Sequence, residues 1–221
     1  NSIQKITNGN HWWTMLNKGE QWSLIDVTKT VQWAELFQGT VSVKTLISQA
    51  ELETGITSMS ADINKQLGST PLTVICVLTG SIILVADLIR HLEMPLRLGA
   101  LSASSYKGNT DRSELTLDTH LLPKLKGQHV LIVDDIFDTG HTLNEVIKHI
   151  QTLQPAAVYT AVLLQKNGRQ EIELDIDFVA FEIPDEFVVG YGLDYQDLYR
   201  NLPYVAVLEE HEIRQATDAS A

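Results

Sequence analysis

Only one cysteine, Cys76, occurs in the 221 residues, so no disulfide can form within the chain and the fold must hold by burial. Cys76 lies in the apolar run LTVICVL and reads as a small core residue. The count is compatible with a reducing, cytoplasmic location. No apolar run reaches the roughly 18 residues of a spanning helix, which argues against a membrane protein. The start, NSIQKITNGNHWWTMLNKGEQ, also lacks the continuous apolar core of a secretory signal. Positive charge is scarce: 16 Lys and Arg stand against 28 Asp and Glu, a net charge of −12. Such a chain is not expected to bind nucleic acid or anionic lipid through its general field. Missing as well are the glycine fingerprint of dinucleotide-binding folds and the Gly-Lys-[Ser/Thr] of P-loop proteins.

What is present is an ordinary globular composition, 44% hydrophobic and 20% charged, with no internal repeat. A chain of this length buries about 70% of its unfolded surface, enough for a core without metal or disulfide. Residues 1–44 carry Trp12, Trp13, Trp22 and Trp33. So many tryptophans in a short stretch suggest a folded extension packed on something, of unknown role. Apolar residues at helical spacing run from 45 to 67 and stop before Gly68. A β-rich run at 72–78 precedes Thr79-Gly80-Ser81 and a second helical pattern at 82–92. Further strands are expected after Pro95 to about 104, at 129–133, 157–164, 176–181, 187–189 and 203–208, with a helix from about 142 to 153. Strands alternating with helices predict an α/β fold with a largely parallel, doubly wound sheet, whose ligands bind beyond the carboxyl ends of the strands. The expected organisation is an extension at 1–44, one domain at 45–210 and a polar tail at 211–221.

The segment Val130–Leu143, VLIVDDIFDTGHTL, carries the most chemistry. Four apolar residues make a central strand that ends in Asp134-Asp135, and Asp138-Thr139-Gly140-His141-Thr142 leads into a helix. Gly140 permits a tight turn with no Cβ in a ligand's way. The N–H groups of residues 139–142, unsatisfied at a helix start, can wrap an anion, and Thr139 and Thr142 add hydroxyl donors. A phosphate is the natural guest. The paired carboxylates repel it, so they should face sugar hydroxyls or a cation. Phosphate donors and diol-binding acids about one turn apart describe a ribose 5-phosphate site.

This segment resembles the phosphoribosyl pyrophosphate signature of type I phosphoribosyltransferases: an apolar run, two acids, two apolar residues, then Asp-Thr-Gly-x-Thr. Other segments resemble, more narrowly, the hypoxanthine-guanine phosphoribosyltransferases. LTGSIILVAD (78–87) is similar to their pyrophosphate loop, with Thr79 where that family often has Lys or Asn. Ser105-Tyr106 and the following KGNTDRSE resemble the mobile hood over the reacting centre. LLQKNGR (163–169) and FEIPDEFVVGYGLDYQDLYRNLPY (181–204) resemble the purine-reading segments. The resemblance covers about residues 45–210 and leaves the first 44 unmatched.

The resemblance implies a type I parallel sheet flanked by helices with a small hood. It implies transfer of the 5-phosphoribosyl group to a 6-oxopurine, with magnesium as cofactor and a homodimer or homotetramer as the assembly. Thr79, Gly80 and Arg200 would hold pyrophosphate, and Leu78–Thr79 would be cis. Asp134 and Asp135 would hold the ribose diol, and Asp138 would be the general acid/base at purine N7. Lys166, Phe187, Val188 and Asp194 would meet the purine, and Asp134, Asp135 and Asp194 the metal. Val189 and Tyr191 read better as core. A xanthine-preferring enzyme stays open, because Lys166 does not report on the 2-position. A phosphoribosyl-pyrophosphate-sensing regulator is the rival from another class, disfavoured by the net charge and by the intact Asp138 and Lys166.

Overall fold

A computed structural model describes residues 44–106 and 114–208, together with the backbone of three strands nearer the start. These strands, β1 (Ile3–Asn8), β2 (His11–Asn17) and β3 (Trp22–Asp26), form an antiparallel sheet in the order β1-β2-β3. The tryptophan-rich start therefore contains a sheet, with Trp12 and Trp13 on β2 and Trp22 opening β3. Trp33 and the tail from 209 lie outside the described residues. The described residues divide into two compact units, this sheet and the part from Lys44 onward.

The larger unit is built on six strands in the order β10-β9-β8-β5-β6-β7. They are β5 (Leu72–Leu78), β6 (Leu96–Tyr106), β7 (Glu114–Asp118), β8 (His129–Phe137), β9 (Ala157–Lys166) and β10 (Phe178–Ile183). All neighbours are parallel except β7, which runs antiparallel to β6. β5 and β8 sit in the middle, which explains their unbroken Val, Ile and Leu: strands covered on both faces cannot alternate with polar residues. Leu131, Ile132 and Val133 are fully buried, and the two faces feed two separate apolar clusters.

Helices α1 (Gln49–Leu67), α2 (Ile82–Leu88) and α3 (His141–Thr152) cover the sheet. α1 opens on a reciprocal cap. The Ser48 N–H donates to Glu51 Oε2 (2.8 Å), and the Glu51 N–H donates to Ser48 Oγ (3.3 Å). It buries Leu52, Ile56, Met59, Ile63 and Leu67 against the sheet and ends at Gly68, as the sequence predicts. Its start differs from the prediction. Residues 44–47 form strand β4 (Lys44–Ile47), because β12 (Val205–Val207) pairs with them; β12 also pairs with β11 (Val188–Val189). A helical spacing of apolar residues cannot foresee that distant partner. α2 is likewise shorter than expected, its helical pattern giving way to turns after Leu88.

A second difference bears on the site. β8 does not end at Val133 but continues through Asp134-Asp135 to Phe137, paired with β9 as far as Phe137↔Gln165. The two acids are thus strand residues at the carboxyl edge of the central sheet. Among the described residues, no helix is long and apolar enough to cross a membrane.

Candidate active site

At that edge lies a cleft of roughly 430 Å³, within the usual size for a small-ligand site. It is lined by Thr79 and Gly80 after β5, by Asp134, Asp135, Asp138, Thr139, Gly140 and Thr142 after β8, and by Asp194 and Arg200 from the C-terminal segment. Strand ends, a helix start and a distant loop therefore converge on one space.

The turn from 138 to 142 has the geometry its residues suggest. Gly140 caps α3 in the left-handed region, φ +91°. A Cβ there would press on the Phe137 ring and on Ile172 at about 3.0–3.1 Å, so glycine serves both conformation and space. Thr139 and Thr142 face the cleft with the first N–H groups of α3 behind them. The His141 side chain does not join them: its Nε2 lies 2.9 Å from Glu171 Oε2, which leaves only the His141 backbone N–H to an anion.

Asp134 is buried, and its pKa is pushed well above the ordinary carboxylate range by that burial and by the neighbouring Asp135 charge. Burial also raises Asp135, opposed by hydrogen bonds from Asp134 and the backbone and by the charge of Arg200. The Asp135 N–H donates to Asp134 Oδ1 (3.0 Å), and the Ile136 N–H to Asp135 Oδ1 (2.9 Å). Two adjacent carboxylates in so little water cannot both ionise cheaply. A cation or a diol would relieve them.

The opposite wall is the Thr79-Gly80 turn, and the Leu78–Thr79 peptide is cis. A Cβ on Gly80 would overlap the Asp135 carboxylate, and one on Gly192, φ +102°, would overlap the Gly80 carbonyl. The turn thus packs directly on the Asp135 carboxylate on one side and on the Gly192 backbone on the other. Arg200 is tied down by hydrogen bonds to Gly192 O (2.8 Å) and Asp197 Oδ1 (3.0 Å) and by an ion pair with Asp194 Oδ1 (2.8 Å). Asp194 Oδ2 accepts the Asp197 N–H (2.8 Å). Among the described residues no three acidic, histidine or cysteine side chains converge as a ready metal cage, so Asp134, Asp135 and Asp194 do not form one by themselves.

Asp138 marks the boundary with the remaining predicted residues. Lys166 Nζ, on a side chain only 10% exposed, lies 3.7 Å from Asp138 Oδ2 and 3.2 Å from Asp185 Oδ1. Arg169 Nε lies 3.2 Å from Asp138 Oδ1 without hydrogen-bond alignment, and that buried oxygen has no hydrogen-bond partner among the described residues. Phe187 is 44% exposed, unusual for so large a ring, and meets Tyr195 edge-on at 5.6 Å. Val188 is buried on β11, and Val189 and Tyr191 are core residues as expected. Ser105 and Tyr106 end β6 opposite Leu115 and Glu114 of β7, so the segment expected to form the hood begins as an antiparallel strand pair; residues 107–113 lie outside the described residues. Sequence reasoning gave no role to Arg169, Asp185 or Glu171. Arg169 and Asp185 lie inside the 163–169 and 181–204 segments, but only the fold shows that Arg169 meets both Asp185 and Asp138.

Residues 42–196 match the model of the phosphoribosyl transferase domain family. The chain belongs to the phosphoribosyltransferase family. Within the family it is 40% identical to the hypoxanthine phosphoribosyltransferase of Haemophilus influenzae over 174 residues, 76% of this chain and 97% of that protein. It is 32% identical to the hypoxanthine-guanine-xanthine phosphoribosyltransferase of Tritrichomonas foetus over 168 residues, 76% and 92% of the two chains. A crystal structure of a hypoxanthine-guanine phosphoribosyltransferase from Bacillus anthracis superposes with a TM-score of 0.70 at 36% identity, covering 75% of this chain and 98% of that one. The type I phosphoribosyltransferase fold read from the sequence is therefore the fold of this chain, and the resemblance to the hypoxanthine-guanine branch is borne out.

Proposed function

We propose that this phosphoribosyltransferase moves the 5-phosphoribosyl group of phosphoribosyl pyrophosphate to N9 of a 6-oxopurine, hypoxanthine and guanine, and releases pyrophosphate. One observation carries the assignment of the acceptor: Asp138, at the head of the turn before α3, keeps a buried Oδ1 with no hydrogen-bond partner among the described residues, and its Oδ2 lies 3.7 Å from the buried Lys166 amine. An acceptor oxygen beside a donor cation fits the N7 and O6 edge of a 6-oxopurine.

In the reaction the bond from ribose C1 to pyrophosphate oxygen breaks and the C1–N9 bond forms, while the proton lost from the purine passes to Asp138. General base assistance of this kind contributes roughly 10²–10⁴-fold. Thr139, Thr142 and the N–H groups of residues 139–142 would hold the 5-phosphate at the start of α3. Thr79, Gly80 and Arg200 would hold the pyrophosphate, with Asp134 and Asp135 on the ribose diol. Lys166 would donate to the 6-oxygen, Phe187 stack on the ring, the Val188 backbone hydrogen-bond the base, and Asp194 sit near the base's edge and the metal. Ser105 and Tyr106 would lead the hood over the site.

The residues fit magnesium as a substrate-completed site. A hard cation takes one or two carboxylates together with substrate oxygens, and the buried Asp134–Asp135 pair is oxygen-only and destabilised by its own charge. Asp134, Asp135 and Asp194 would hold the ion, which when bound neutralises charge on the departing pyrophosphate. The assembly we propose is a homodimer or homotetramer.

The test is nucleotide formation from phosphoribosyl pyrophosphate and magnesium with hypoxanthine, guanine, xanthine or adenine offered separately. Product with hypoxanthine and guanine supports the proposal. Product with xanthine alone would change the base, and no product with any of them would move the chain to a sensing role.

A further inference from the structure

Lys166, Asp138, Arg169 and Asp185 form a closed ring of alternating charge. Asp138 touches Arg169 Nε at 3.2 Å and Lys166 at 3.7 Å. Asp185 touches Arg169 Nη1 and Lys166, both at 3.2 Å. The Lys166–Asp138 edge is the longest of the four, and it is the edge a purine must break, since the purine needs the lysine on its oxygen and the carboxylate on its nitrogen. Arg169 then becomes the cation that Asp138 retains.

We propose that Arg169 is a positioning residue for the transfer reaction. It holds the Asp138 carboxylate in place when the purine draws Lys166 away, and Asp185 anchors the guanidinium from its other side. The proposal rests on the transfer reading above. A planar guanidinium suits this task because its fork meets two carboxylates at once, whereas an ammonium is a point charge. Stability alone does not account for the arrangement. Arg169 is 49% exposed, Asp185 46% and Asp138 36%, and ion pairs in such settings contribute little to folding.

The backbone around Arg169 supports the assignment independently. Two residues further on, the Glu171 and Ile172 N–H groups both donate to the Thr139 carbonyl at 3.0 Å. The Glu171 carboxylate then meets His141, and the Gln170 side-chain amide donates to the Lys166 carbonyl. The segment that carries Arg169 is therefore fastened to the same turn that carries Asp138. Arg169 and Asp138 keep their spacing even if neighbouring loops move.

The experiment compares the full chain with Arg169→Ala, Arg169→Gln and Arg169→Lys, using hypoxanthine, phosphoribosyl pyrophosphate and magnesium. In Arg169→Ala we expect kcat to fall roughly tenfold or more, part of the ~10²–10⁴-fold that a general base supplies. KM for phosphoribosyl pyrophosphate should stay within about twofold, because binding of that substrate is not what is lost. Arg169→Gln, which keeps most of the length and removes the charge, should match the alanine variant and stands in for it if that variant folds poorly. Arg169→Lys should recover part of kcat. An unchanged kcat in both neutral variants overturns the role of Arg169, as does a loss matched by an equal rise in that KM and not relieved by lysine. A wild-type chain that makes no nucleotide fails earlier, and overturns the transfer reading together with this one.

Discussion

Two sides of the site, the β8–α3 stretch that lines the cleft and the Lys166–Phe187 group beside it, are built in opposite ways. The wall proposed for phosphate and ribose is one stretch of chain, Asp134 to Thr142, running off the end of β8 into α3. It offers the first N–H groups of α3 together with the Thr139 and Thr142 hydroxyls and the acid pair, set by the strand, by Gly140 and by the helix start. The wall proposed for the purine is assembled from three places: Lys166 at the end of β9, Asp185 to Val188 before and within β11, and Asp194 beyond it. Apart from the Val188 backbone, side chains carry it, and Lys166, Phe187 and Asp194 are each aimed by an ion pair or a ring contact. A wall set by one continuous turn of chain tolerates little change of shape. A wall assembled from separate side chains can be altered one interaction at a time.

The largest effect is expected where the Thr79-Gly80 turn packs on the acid pair. Gly80→Ala puts a methyl group onto the Asp135 carboxylate, so the turn or that carboxylate must shift from its place at the cleft. Displacement of this order costs roughly 10²-fold in kcat/KM for phosphoribosyl pyrophosphate. Steady-state kinetics at saturating hypoxanthine check it, and an unimpaired variant would show that the turn is not held there.

A smaller, more selective effect is expected on the other wall. Lys166→Ala removes a charged donor, an interaction of about 1.5–3 kcal/mol, so the purine KM should rise roughly 10–100-fold while that for phosphoribosyl pyrophosphate changes little. A KM change shared by both substrates would mean that the walls are not separable as described.

The smallest effect is on stability and depends on pH. The folded chain raises the Asp134 pKa above its unfolded value. The stabilisation from holding that proton is therefore complete below the unfolded pKa and is lost as pH rises through the folded one. Asp134→Asn avoids the loss. Its melting temperature should match wild type near pH 4 and exceed it at neutral pH, by roughly 2–4 °C for each ~1 kcal/mol relieved. Ligand-free thermal melts from about pH 4 to 8 decide this. A gap that stays constant or closes with pH would contradict a proton held on the pair.

The same contrast explains what the sequence shows and what it hides. The acid pair, Gly140 and the two threonines of the phosphate wall are neighbours in the chain, so spacing alone describes their chemistry. Lys166, Phe187 and Asp194 could be picked out only by resemblance, because nothing local says that they meet. Arg169 and Asp185 went without a role for a related reason. Their partners are chosen by the parallel pairing of β9 with β10, which brings Lys166 opposite Ile183, just before Asp185. β4 shows the same limit in the fold. Residues 45–47 fall within the apolar spacing of an expected helix but are claimed by β12, about 160 residues away in the chain. The continuation of β8 through Asp134 and Asp135 also escaped a local reading, since two adjacent acids look like the end of a buried strand. Their burial at a ligand cleft is what makes them useful.

The most direct test of the account is Asp138→Asn, because Asp138 is the residue both walls share. With hypoxanthine, phosphoribosyl pyrophosphate and magnesium, the wild-type chain should form nucleotide and pyrophosphate in equal amounts. The variant should do so about 10²–10⁴-fold more slowly, with both KM values close to wild type. Equal turnover in the two proteins would contradict the account at its centre.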